Sequence, residues 1–312
     1  MVWEALRGFN LGTAEIPPQG MKDYKSFADT GAQLMRVPIQ CYQQGSASNY
    51  ALTPLQWSFL ETTVSLGRRW GFKIVLAMAP QPGGLQAQYW KDPAQQEGIA
   101  RLWGKIAAHF KGDEVIAAFD LLNEPVAPTP EEWFRFASML ISVIRAQDPV
   151  RTVIVEPSQW GHAFGFKTQE MLPFEDVVYS FHFYDPLPLT HQGIMGGCPV
   201  GQEYPSQHYT RDFLAAQMQP AVDFANMHKV RMYVGEFGCA RWAPGNSRQD
   251  WIKDAAALFE EYGWAWTYLA WRGFDGFTAE IPNGLPVTLP QPAADYYTLN
   301  SEAYLTLKDY LK

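Results

Sequence analysis

The chain has 312 residues, 47% hydrophobic and 18% charged, with a net charge of −8. No run reaches the ~18 apolar residues of a membrane span, and an acidic balance lacks the basic face that a phosphate backbone demands, so neither membrane nor nucleic acid is an expected partner. Three cysteines, Cys41, Cys198 and Cys239, make no disulfide framework.

The start, Met1 to Leu6, has neither a basic end nor a long apolar stretch and does not read as a signal peptide. The first strand is predicted over Leu6–Leu11, and a helix follows from Met21 to Thr30. Gln33–Ile39 is the second strand, with Pro38 marking its end. Thr53, Pro54 and Gln56 spell a helix start with a capping box, and that helix turns Trp57, Leu60 and Val64 to one side before ending near Gly71. Lys73–Ala79 is a third strand, too continuously apolar to be half exposed. Asp92-Pro93 opens a helix that ends at Lys111-Gly112.

The fourth strand runs from Ile116 into Asn123-Glu124-Pro125, where proline forces the chain into a loop. Thr129-Pro130 caps the next helix, whose Trp133, Phe136, Ala137, Leu140 and Ile144 form an inward stripe. Arg151–Val155 and Val177–Phe183 are strands five and six. A helix reaching about His228 precedes strand seven, which ends at Glu236 between Gly235 and Gly238. Further elements are a helix over Arg248–Tyr262, an eighth strand over Trp264–Trp271, and a last helix over Ser301–Leu311. Eight buried strands alternating with helices, with no linker between them, predict one parallel (β/α)₈ barrel of the TIM type, a single domain over residues 1–312. An open doubly wound sheet would carry a Gly-rich phosphate turn after its first strand, and none is present.

Function in such a barrel lies at the carboxyl ends of the strands. Those ends hold Arg36, Asn123 and Glu124, His182 with Tyr184, Glu236 and Trp271. A lone glutamate at a strand end is more often an ion-pair partner, and a lone histidine more often a satisfied core residue. Two glutamates across one mouth, however, are what cleavage of a glycosidic bond needs. One must be protonated to serve the leaving oxygen, and the other ionised to attack. An arginine and a tyrosine hydroxyl beside one carboxyl would favour its charge, while apolar walls and a neighbouring anion would keep the other protonated. The six histidines show no metal-ligand spacing, and no phosphate loop or serine elbow occurs, so no metal and no cofactor are expected.

Asn123-Glu124-Pro125 after one strand and Gly235-Glu236-Phe237-Gly238 after another resemble the family 5 glycoside hydrolases, cellulase-like retaining enzymes on a TIM barrel. The resemblance spans essentially the whole chain. It implies that Arg36 holds the nucleophile ionised, Asn123 binds the sugar 2-hydroxyl, Glu124 is the acid/base and Glu236 the nucleophile. It further implies that His182 and Tyr184 line the cleavage site and that Trp271 is the stacking platform beneath the cleaved sugar. Ala79, before Pro82-Gly83-Gly84, stands where many members carry a histidine, which bears on substrate identity more than on reaction type.

The substrate so implied is a β-1,4-glucan, with β-mannan and other β-glucans behind it, acted on by a monomer; such a substrate favours a secreted or periplasmic setting. The rival of a different class is a non-catalytic carbohydrate-binding barrel, which would need neither glutamate. Trp90, Trp160 and Trp242 lie in loops after strands three, five and seven and are candidates for the walls of a sugar groove. Cys198 and Cys239 follow neighbouring strands, which leaves a bridge open, with three free thiols the default.

Overall fold

The computed structural model describes residues 3–12, 21–43, 49–80, 90 and 92–311. The turn at Pro82 to Gly84 lies outside them. Nine strands are described: β1 Arg7–Asn10, β2 Leu34–Gln43, β3 Tyr50–Ala51, β4 Lys73–Pro80, β5 Ile116–Asp120, β6 Val153–Val155, β7 Val177–Phe183, β8 Arg231–Phe237 and β9 Ala265–Tyr268. All but β3 pair in parallel around a ring that β1 closes by pairing with both β2 and β9. This is the closed eight-stranded barrel with intervening helices that the strand count predicts. No helix among the described residues is long and apolar enough to cross a membrane.

The helices are α1 Met21–Asp29, α2 Pro54–Trp70, α3 Pro93–His109, α4 Pro130–Gln147, α5 Leu187–Thr190, α6 Arg211–His228, α7 Ser247–Glu261 and α8 Glu302–Lys308. The Thr53–Gln56 capping box is complete, and Gly71 ends α2 in the left-handed conformation that spares a side chain a clash. Asp92 and Thr129 cap α3 and α4 through their side chains. The five apolar residues of the α4 stripe are all buried against the barrel.

Two expectations need correction. Between β6 and β7 the alternation lapses: the one helical element there is a 3₁₀ turn, Ala163–Lys167, in a stretch interrupted by Pro157, Gly161, Gly165 and Pro173. Nor does Pro38 end its strand, for β2 continues to Gln43 and folds back against β3. Arg36 turns its carbonyl toward β1, where Leu11 donates to it. Two residues on, the N–H that Pro38 lacks would point past the end of β1, so no ladder bond is lost.

Strand periodicity sorts the interior into layers. Leu34, Val75, Ala118, Ile154, Val178, Tyr233 and Ala265 make a separate apolar cluster, closed by Trp3 and Leu6. Side chains two positions further along the same strands point the same way. They include Arg36, Asp120, Glu156, Ser180 and Thr267, all buried.

Candidate active site

Arg36 occupies the centre of that second layer and is 1% exposed. Its guanidinium donates to Oδ2 of Asp120 at 2.9 Å, Oδ1 of Asn10 at 3.1 Å, Oδ1 of Asn123 at 2.8 Å, Oε1 of Glu156 at 3.1 Å and Oε1 of Glu236 at 2.6 Å. A planar fork of five N–H donors is the side chain that can meet so many oxygens at once. Asn10 is held in turn by donating to the Gly235 carbonyl at 2.8 Å.

Glu236 reaches the mouth because β8 slips register. Phe181 pairs with Val234, but His182 pairs with Glu236, so Gly235 is the extra residue of a bulge and Glu236 swings back to the inner side. A side chain at 235 would put Cβ 2.8 Å from the Ser180 hydroxyl, so the bulge demands glycine. The second oxygen of Glu236 accepts the Tyr184 hydroxyl at 2.8 Å. Glu124 sits in left-handed backbone at φ 49°, beyond the end of β5. Its N–H donates to Oε2 of Glu156 at 2.8 Å, and its Oε1 lies 2.9 Å from Nδ1 of His182. One oxygen of Glu124, one of Glu236 and a ring nitrogen of His182 all fall within 4.8 Å of one another.

The two carboxyls meet opposed environments. Burial pushes Glu124 upward; the His182 contact pulls it back, and the charges of Glu236 and Glu156 add to the rise, which prevails. Burial also works against the charge on Glu236. There the His182 and Arg36 cations, with hydrogen bonds from Tyr184 and Arg36, overcome it and hold the carboxyl below its usual range. Burial likewise opposes charge on His182, but the negative charges of Glu156, 3.1 Å from Nε2, and of Glu236, with the hydrogen bond to Glu124, raise its pKa well above that of a free imidazole. Asp120 is pushed up to about 8, by burial first, against Arg36 and with the help of Glu156. The two environments therefore push the carboxyls apart, Glu124 toward its acid form and Glu236 toward its anion. The trio Glu124, His182 and Glu236 has the spacing of a cation site. With Nδ1 donating its hydrogen to Glu124, that ring nitrogen has no lone pair to offer a metal.

The structure brings Arg36, Asn123, Glu124, His182, Tyr184 and Glu236 together. Trp271 is placed elsewhere, and its reading as a platform is corrected. It is 1% exposed, packed against Phe9 at 5.3 Å and Phe27 at 5.9 Å, with the Arg272 guanidinium over its ring at 5.2 Å. Leu269, half-buried and two residues beyond the inward Thr267, takes the mouth position at the end of β9. Ala79 is half-buried at the end of β4, where it adds only a methyl group.

Of the three loop tryptophans, Trp90 is buried edge-on against Trp133 and Phe136, and Trp242 is half-buried with Nε1 donating to the Gln192 carbonyl. Trp160 is 61% exposed, in left-handed backbone, and its N–H donates to the carbonyl of Pro125, next to Glu124. All three cysteines are free thiols. Sequence reasoning missed Asp120 and Glu156, both 0% exposed. The available signal was parity: each lies two residues beyond an inward apolar residue, Ala118 or Ile154.

Barrel, mouth and paired carboxyls define a hydrolase of the two-carboxylate kind. The family description of the cellulases, glycosyl hydrolase family 5, matches residues 3–275, and the chain belongs to that family of retaining glycoside hydrolases. It is 24% identical over 286 residues to endoglucanase C of Acetivibrio thermocellus, covering 79% of this chain and 83% of that one. It is also 24% identical over 256 residues to cellodextrinase A of Ruminococcus flavefaciens, covering 77% and 75%. Among solved structures, endoglucanase Cel5A of Thermotoga maritima superposes with a TM-score of 0.81 at 21% identity, over 99% of this chain and 97% of that one.

Proposed function

We propose that the chain is one catalytic domain that hydrolyses a β-1,4-glucan by double displacement, with Glu236 as nucleophile and Glu124 as acid/base. The observation that carries this reading is the approach of the two carboxyls. A separation of about 5–5.5 Å suits a covalent route, whereas ~6.5–9.5 Å admits the water of inversion. The 4.8 Å limit on an oxygen of each supports the shorter class.

In the first step Glu236 attacks the anomeric carbon as Glu124 gives its proton to the departing oxygen. Tyr184 and Arg36 hold the attacking carboxylate in place, and Asn123, itself oriented by Arg36, is left to meet the 2-hydroxyl. In the second step Glu124, now ionised, takes a proton from a water whose oxygen bonds to the anomeric carbon, and the C–O bond to Glu236 breaks with its electron pair returning to that carboxylate. Glucan as substrate is supported by the names of the relatives, endoglucanase and cellodextrinase.

The direct test is the stereochemistry of the first product, followed by proton magnetic resonance on a cello-oligosaccharide: a β-anomer is expected, and an α-anomer would sink the covalent route. A substrate screen that found activity on mannan alone would overturn glucan without touching mechanism. The pH profile of kcat/KM should be bell-shaped. Its acid limb, where Glu236 gains a proton, should lie below 4.5, and its basic limb, where Glu124 loses one, above 4.5. A single limb would contradict the assignment of two working carboxyls.

A further inference from the structure

Glu156 follows β6 and has no exposed surface, so it cannot touch a substrate. Its carboxylate nevertheless takes two hydrogen bonds and an ion-pair contact with His182. Oε2 accepts the backbone N–H of Glu124 at 2.8 Å, and Oε1 accepts from Arg36 at 3.1 Å and lies 3.1 Å from Nε2 of His182. The other ring nitrogen, Nδ1, is the one 2.9 Å from Oε1 of Glu124. Glu156 therefore bears on Glu124 twice, at its backbone and, through the imidazole, at its side chain. The backbone contact falls where it is most needed, since φ 49° is a conformation that non-glycine residues adopt only when their surroundings impose it. The wall behind is cut to fit: a Cβ on Gly161 would stand 2.5 Å from Oε2 of Glu156.

We propose that Glu156 is a positioning residue for the acid step: one of its oxygens fixes the left-handed backbone of Glu124, and the other orients His182 so that Nδ1–H fills Oε1 of Glu124 and leaves the transferable proton on Oε2. The proposal rests on the reading of Glu124 as acid/base and deepens it. As the glycosidic C–O bond breaks, its electron pair stays with the departing oxygen, and the Oε2–H bond of Glu124 breaks to give that oxygen its proton. The new carboxylate keeps the His182 N–H at Oε1. Glu156 gains and loses nothing; it decides which oxygen acts.

The test is Glu156→Gln, which keeps size but sets an NH₂ among groups that are themselves donors. The measure is kcat/KM, which reports formation of the glycosyl-enzyme, on an unactivated cello-oligosaccharide and on a dinitrophenyl β-cellobioside whose leaving group needs no proton. A misplaced acid should cost about a hundredfold on the first substrate and no more than about threefold on the second. Equal losses on both, or none on either, would overturn the proposal. Glu156→Asp, which keeps the charge but withdraws it by one methylene, takes the same comparison where the glutamine variant does not fold. Failure of both to fold would make Glu156 a folding residue and end the proposal. Glu124→Ala is run alongside. A loss there that ignores the leaving group removes the acid/base reading itself, whereas the expected dependence there beside a uniform loss in Glu156→Gln removes the positioning role alone.

Discussion

The floor of the barrel and its mouth are made by the same strands, one inward side chain apart, and they are held by different forces. At the floor Leu34, Val75, Ile154, Val178 and Tyr233 pack with Trp3, whose ring meets Tyr233 edge-on at 5.6 Å. Two residues along, roughly 7 Å up each strand, stand Arg36, Asp120 and Glu156, and above them His182, Glu124 and Glu236. Floor contacts are short-ranged and non-directional, so what counts is filled volume. Buried charges at the mouth must be balanced and hydrogen-bonded one by one, and that constraint gives each carboxyl a defined protonation state. The floor makes the barrel stand, and the mouth spends some of that stability on arrangement.

Substitutions can break this contrast. The largest effect is expected from Glu236→Ala, which should cut kcat by at least about 10⁴-fold while the melting temperature stays near that of the parent, since Arg36 keeps Asp120 and Glu156. Added azide should restore turnover by entering the vacated side, giving the inverted glycosyl azide. A collapse in melting temperature would mean that the mouth also carries the fold. Next is Ile154→Ala at the floor, 0% exposed, which should cost about 2–5 kcal/mol of unfolding free energy by urea titration. The kcat/KM of the folded fraction should be unchanged; a fall would show that the layers are mechanically coupled. Smallest is Trp160→Ala, expected to weaken long oligosaccharides about tenfold, the worth of one stacked ring, with short aryl glycosides reacting as before. Equal loss on both would assign Trp160 to the loop's own folding.

How much was legible follows the range of the interactions. Glu124 and Glu236 could be read because proline after one and glycines around the other mark a strand that ends at a ligand. Asp120 and Glu156 could not be read with the same ease. Both-sided burial makes Val153-Ile154-Val155 uniformly apolar, and that hides which residues face inward. Pro38 misled because its cost depends on where the neighbouring strand stops. Trp271 misled because the strand ends at Tyr268 and the alternation carries only one residue further, to Leu269, before the chain turns away. Trp90, Trp160 and Trp242 are the same residue in loops of the same kind, yet one is core, one exposed and one tied to a carbonyl.

The sequence alone determined the alternation of strands and helices, the helix caps at Thr53, Asp92 and Thr129, and the two glutamates at strand ends, because each is written within a few adjacent residues. Only the tertiary structure decided that Arg36 meets Glu236 across 200 positions of chain, that a bulge at Gly235 turns Glu236 inward, and that Glu156 lies beneath Glu124. Those facts depend on the closure of the barrel, which brings distant strands to within hydrogen-bonding distance and removes the water that would otherwise level the two carboxyls to the same pKa.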